Sequence, residues 1–170
     1  MAPGTLDPIA FRSAMSHWAT GVSVITSLGP AGPAGCTANA VTSLSLDPLE
    51  LLVCFDRGSD TLQAVNASRR LAVNMLTAEQ EELSARFARK GTPEIKFAGV
   101  PYDLVEGVPV LADTLATLVC DVDRMLEGGD HEIVIGHPIT CTARVDAEPL
   151  IFFRNGYTRA IPAAVPTPRG

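Results

Sequence analysis

A mainly β chain, an antiparallel barrel with a few flanking helices, is the fold class this sequence predicts. Three observations lead there. Short runs of apolar and β-branched residues recur along the chain, each bounded by Gly, Pro or Asp turn signals. Only two or three segments carry helix start and stop signals. Strands and helices do not alternate regularly, and no Gly-x-Gly-x-x-Gly joins a strand to a helix, which argues against a parallel doubly wound sheet with a Rossmann turn. The length of 170 residues suits one domain. That domain is expected over residues 1–160. The stretch 161–170 has three prolines and little to bury, so it is expected to be a loose tail.

Asp7-Pro8 predicts a helix start, with an N-cap followed by proline at the first helical position. Phe11, Ala14, Met15 and Trp18 then recur at helical spacing, and Gly21 closes the segment. Val22 to Ser27 reads as a strand. A Gly- and Pro-rich loop, Leu28 to Gly35, joins it to a second strand from Cys36 to Leu46. Asp47-Pro48 breaks the pattern before Leu49 to Phe55, an apolar run typical of a buried strand. A short helix over Ser59 to Ala67 and a strand over Leu71 to Leu76 follow. Thr77 to Gln80 forms a capping box for a helix whose apolar stripe is Leu83 and Phe87 and which Gly91 stops. Residues 118–123 alternate with period two. Gly128-Gly129 is a break, His131 to Val145 is a long strand, and Leu150 to Arg154 is the last.

Composition is that of a globular chain, 46% hydrophobic and 19% charged. The net charge is −6 with no block of Lys or Arg, which argues against nucleic acid and acidic membrane surfaces as partners. No apolar stretch is long enough to span a membrane. Met1 to Asp7 lacks the basic start and apolar run of a signal peptide, so a cytoplasmic location is expected. Four scattered cysteines and three histidines form no metal-ligand spacing, and no metal is expected. Cys54, Cys120 and Cys141 read as small buried residues.

Three stretches could carry chemistry. Residues 35–45 form a strand-like run of small and hydroxyl-bearing side chains, which lets a flat heterocycle approach backbone amides. An edge strand with a solvated hydroxyl face fits the same residues equally well. Asp56-Arg57-Gly58-Ser59-Asp60-Thr61 places hydroxyls and free amides at a helix N-terminus, a ready anion site, although a plain N-cap serine is the commoner use of this pattern. In Gly128-Gly129-Asp130-His131, the histidine starts a strand on the face shared by Ile133 and Ile135. There it can bond a carboxamide or phosphate, or simply sit at a barrel rim.

The order of these segments resembles the flavin reductase family, the reductase components of two-component flavin monooxygenases. The resemblance runs from about Phe11 to Arg159. It rests on residues 11–22, Gly35 to Ala40 with Thr42 to Ser45, Ser59-Asp60-Thr61, Phe87 to Lys90, Lys96 to Val100, Gly129-Asp130-His131 with Ile135-Gly136, and Pro149-Leu150 through Arg154 to Tyr157. It implies a Greek-key split β-barrel that binds FMN or FAD, assembled as a homodimer with flavin sites near the subunit interface. Carried over by position, Thr37, Ala38 and Asn39 lie along the isoalloxazine, with Ser43 and Cys54 close by. Ser59 and Thr61 hold the phosphate, supported by Phe87 and Lys90. His131 binds the reduced nicotinamide, and Arg154 and Tyr157 frame that side. Acidic Asp60 and the stretch Gly91 to Ile95 depart from the family pattern.

The implied reaction is hydride transfer from NADH or NADPH to the flavin, with the reduced flavin supplied to a monooxygenase. The cofactors carry the reactivity and the protein orients them. The absence of a basic cluster beside His131 favours NADH. Two other functions suit the same residues: an electron-transfer protein with tightly held FMN, and a non-catalytic barrel that binds a small ligand.

Overall fold

The computed structural model describes residues 6–160; the tail expected at 161–170 lies outside them. Helix α1 (Pro8–Met15) is followed by strands β1 (Thr20–Gly21), β2 (Ser23–Gly29), β3 (Gly32–Ala38), β4 (Val41–Leu46) and β5 (Leu49–Asp56). Then come α2 (Asp60–Ser68), β6 (Arg70–Met75), α3 (Glu81–Ala88), α4 (Pro93–Phe97) and the hairpin β7 (Tyr102–Val105) and β8 (Val108–Leu111). Strands β9 (Ala116–Gly128), β10 (His131–Ala143), β11 (Leu150–Phe153) and β12 (Gly156–Arg159) complete the order. The fold is mainly β, as expected, and the described strand pairings are antiparallel.

Seven strands form one sheet in the order β3-β2-β6-β9-β10-β5-β4. Its two edges, β3 and β4, are consecutive in sequence and joined only by Asn39 and Ala40. A flat sheet of that width would hold its edges about 29 Å apart, whereas the link from Ala38 to Val41 reaches at most about 11 Å. The sheet must therefore coil until its edges approach each other. The packing agrees: Cys36 and Ala38 of β3 and Val41 of β4 all press on one core cluster that includes Ile25, Val53, Phe55, Val73 and Val134. A second cluster, around Val24, Leu76, Phe87 and Leu150, sits beneath α3, α4 and the small sheet β1-β11-β12.

Four local expectations change. Asp7 caps α1 as expected, its Oδ1 accepting from the N–H of Ile9 at 3.1 Å, but the helix ends at Met15 rather than near Gly21. It buries none of its residues, so no packing within the chain extends it. The predicted loop 28–35 is a tight hairpin in which Gly29 pairs with Gly32. The predicted strand 36–46 is two strands, because the link at Asn39-Ala40 carries the chain between opposite edges of the sheet. Cys120 is buried, but Cys54 is half-buried and Cys141 is exposed near the far end of β10.

Hairpin β7–β8 is fastened to the sheet by a buried polar lock. Asn74 donates to Val24 O (2.9 Å) and to Thr26 Oγ1 (3.0 Å), and its Oδ1 accepts from the N–H of Leu111 (2.9 Å). Thr26 Oγ1 in turn donates to Pro109 O. Asn74→Ala leaves these buried groups unpaired, at a cost of about 1–3 kcal/mol per group. A Tm lowered by several degrees in calorimetry, with secondary structure retained, is the expected result.

Candidate functional site

A cleft of about 1180 Å³ opens between α1 and the outer face of the coiled sheet. Phe11, Met15 and Trp18 form one wall and Asn39, Cys54 and His131 line the opposite one. Along β5, Leu51, Val53 and Phe55 are buried while Leu52 and Cys54 point the other way into the cleft, a direct result of the strand's period of two. Asn39 and Ala40 reach the cleft because they occupy the link between sheet edges. Of the expected ring-side residues, Asn39 and Cys54 therefore line the same cleft as His131. Ser43 does not: it lines a separate apolar cavity of about 540 Å³ with Leu46, Leu49 and Ile139. Ala38 packs toward the core, and Thr37 Oγ1 donates to Ser84 O at 2.6 Å.

His131 stands at the first position of β10. Its Nδ1 lies 2.7 Å from Asp130 Oδ1. This hydrogen bond, aided by the charges of His131 and Arg12, holds the Asp130 carboxyl below the usual aspartate range. The carboxylate therefore persists through neutral pH and is lost only as the pH falls through its lowered pKa. With Nδ1 engaged, Nε2 is the ring nitrogen free to meet a ligand.

The expected anion residues converge a short way along the same strands. Ser59 caps α2, its Oγ accepting from the N–H of Leu62 at 3.4 Å, and Thr61 is buried in the helix's first turn. Both side chains and the charge of Lys96 act on the Cys36 thiol, which places these groups near one another. Lys96 Nζ donates to Gly35 O at 2.9 Å and to Phe87 O at 3.4 Å, and no carboxylate pairs with it among the described residues. Two hydroxyls, a helix N-terminus and an uncompensated ammonium suit a phosphate.

Lys96 heads one of the segments that carry the resemblance but was given no site role, because only the tertiary fold brings α4 against β3. Lys90 is exposed beyond the end of α3 and makes no ion pair among the described residues. Phe87 lies in the core at 1% exposure, edge-on to Phe97 at 5.0 Å. Its ring leaves no room at Gly35, where an added Cβ would sit 2.7 Å from Cε1. This close approach of strand and helix is what brings Gly35 O within reach of Lys96.

Tyr157 and Arg154 are elsewhere. Tyr157 OH bonds Ser84 Oγ at 2.8 Å, beneath α3. Arg154 is exposed, lies over the Phe153 ring at 5.1 Å, and donates its backbone N–H to Ser16 O at the end of α1. Neither lines the cleft that holds His131.

Residues 15–160 match the flavin reductase like domain, and the chain belongs to that family. It is 38% identical over 156 residues to the reductase subunit of a flavin-dependent monooxygenase from Mycobacterium tuberculosis, covering 90% of this chain and 82% of that one. It is 40% identical over 164 residues to a flavin reductase (NADH) from Kitasatospora aureofaciens, covering 94% and 85% respectively. Among solved structures, the NADH:FAD oxidoreductase of Streptomyces globisporus, in complex with NAD and FAD fragments, superposes with a TM-score of 0.87 at 34% identity. That match spans 95% of this chain and 99% of the other.

The thiols provide a direct check of the site's geometry. Burial pushes Cys36 up from the ordinary thiol range, and burial with the nearby charge of Asp121 pushes Cys120 up to about 12. Iodoacetamide at mildly alkaline pH is expected to leave Cys36 and Cys120 unmodified in the native protein until denaturant is added, as read by peptide mass mapping.

Proposed function

We propose that this chain is an NADH:flavin oxidoreductase that reduces FMN or FAD and supplies the reduced flavin to a partner monooxygenase. The observation that carries the reading is the joint placement of the cleft and the anion corner. From Asn39 in the cleft, just past the end of β3, the chain runs back along that strand to Cys36 in the corner, about 10 Å of extended chain, and β5 leads from Cys54 in the cleft toward Ser59 in the corner. A flat ring in the first and a phosphate in the second match the two ends of a flavin mononucleotide. The relatives named as flavin reductases using NADH support the choice of donor and acceptor.

In this reading NADH supplies the hydride and the flavin takes it, so the protein's task is orientation. Asn39 and Cys54 line the ring side; Thr37 anchors the strand end through Ser84, and Ala38 seats it on the core. Ser59, Thr61 and Lys96 hold the phosphate, and Phe87 supports them from the core. His131, held by Asp130, meets the nicotinamide. Cytoplasmic residence fits such a role, and no helix among the described residues is long and apolar enough to cross a membrane.

The architecture we assign is a Greek-key split barrel that pairs as a homodimer. Helix α1 and the turn after it leave Phe11, Met15 and Trp18 at least half exposed, and Leu46 and Leu49 form a second apolar area on β4 and β5. A second copy would cover such surface. It is also what the proposed nicotinamide-side role of Arg154 and Tyr157 requires, since neither lines its own chain's cleft.

The decisive experiment is oxidation of NADH, followed by its absorbance, with FMN or FAD added. No NADH consumption with either flavin would overturn the proposal. His131→Ala is expected to raise KM for NADH more than it weakens flavin binding, and an unchanged KM would remove His131 from the nicotinamide side. Lys96→Met is expected to weaken FMN binding by about tenfold or more, the loss of one charge-assisted hydrogen bond, and to leave riboflavin, which lacks the phosphate, unaffected. Fluorescence titration of both flavins measures this, with Lys90→Met as the control that changes neither.

A further inference from the structure

The tip of the β9–β10 hairpin carries His131, yet little of the tip is buried. Glu127, Gly128, Gly129 and Asp130 are all exposed, and Gly129 takes φ 73°. Two adjacent glycines give the turn more backbone freedom than any other pair would.

One residue outside the hairpin reaches both of its arms and the turn between them. Arg57, in the loop from β5 to α2, donates its backbone N–H to Asp130 O at 3.2 Å. Its Nε donates to His131 O at 3.3 Å, and its guanidinium lies 3.5 Å from Glu127 on the opposite arm. The loop that bears Arg57 is itself braced. Asp56 Oδ1 accepts from the N–H of Gly58 at 2.7 Å, and Asp56 O accepts from the N–H of Ser59 at 3.0 Å. Ser59, two residues on, belongs to the anion corner.

We propose that Arg57 is a positioning residue for the nicotinamide side: it clasps the hairpin tip so that His131 is presented to the cleft, and it ties that tip to the phosphate-binding loop. The proposal rests on the reading of His131 as the nicotinamide-binding residue. The exposed ion pair with Glu127 contributes little by itself. What matters is bracing, because one planar guanidinium fixes two arms of a flexible turn at once.

The test uses Arg57→Ala, Arg57→Lys, His131→Ala and the double variant Arg57→Ala/His131→Ala, each checked for folding by circular dichroism. Arg57→Ala is expected to raise KM for NADH about tenfold, with kcat and the Kd for FMN changed less than about twofold. Arg57→Lys, which keeps the charge but not the Nε donor, should recover part of the loss. In the His131→Ala background, removing Arg57 should add nothing, since its effect passes through that histidine.

Three results would overturn the clasp: an unchanged NADH KM in Arg57→Ala while His131→Ala raises it, additive effects in the double variant, or a weakened FMN Kd that marks Arg57 as a phosphate ligand. An unchanged NADH KM in His131→Ala is a different failure. It removes the underlying reading of His131, and the clasp with it.

Discussion

Two residues, Asn39 and Ala40, must carry the chain from one edge of a seven-stranded sheet to the other, and the rest of the structure follows from that short link. A coiled sheet has an inside, which the apolar alternation of β5, β6, β9 and β10 fills. It also has an outside, where the complementary residues of the same strands are left for other work. The link is stitched in place by the N–H of Cys54, which donates to Ala40 O at 3.0 Å. A longer connection would relax the coil and separate Asn39 from Cys54. The cleft is thus a by-product of this coiling rather than an insertion added to a finished fold.

The site is stiffened from behind by groups that touch no ligand in the proposed reading. Ser84 is fully buried; its carbonyl accepts from Thr37 and its hydroxyl bonds Tyr157, so α3 joins β3 to β12. Satisfied polar networks in a dry interior hold a single geometry, since breaking any one bond strands a buried partner. Phe87 complements this on the apolar side by filling the space that Gly35 leaves open. Together they set where the end of β3 lies, and hence where Asn39 stands. This is a division between residues that meet a ligand and residues that fix the backbone carrying them.

Much of this architecture could be read from residue order. The long run from His131 and the apolar run over 49–55 became strands near their expected bounds, and the period-two pattern of 118–123 marks the middle of the longer β9, because each has one face committed to the core. The Asp7-Pro8 helix start held for local reasons, through a cap that needs no tertiary partner. The end of that helix was not legible. Its apolar stripe, Phe11, Met15 and Trp18, imitates a packed face but buries nothing within the chain. The break at Asn39-Ala40 was hidden because hydroxyl-bearing and small residues continue on both sides of it. For the site, local chemistry left the Gly-Asp-His segment open to a rim histidine and the Ser-Asp-Thr segment open to a plain N-cap, and only the family resemblance chose between the readings. Lys96 belongs to one segment of that resemblance, but its contact with Gly35 depends on α4 lying against β3, which no short-range spacing encodes.

The position of β9 and β10 between β6 and β5 has a consequence for biosynthesis. The first part of the chain to leave the ribosome can assemble only two fragments, β3-β2-β6 and β5-β4, joined by the Asn39-Ala40 link. Each exposes an unpaired edge until the β9–β10 hairpin emerges from the C-terminal half and is inserted between them. Non-local insertion of this kind is slow, and open edges invite pairing with other chains. The nascent chain is therefore most vulnerable to aggregation just before the hairpin that bears His131 is complete, so the segment assigned to nicotinamide binding is also the one that seals the sheet.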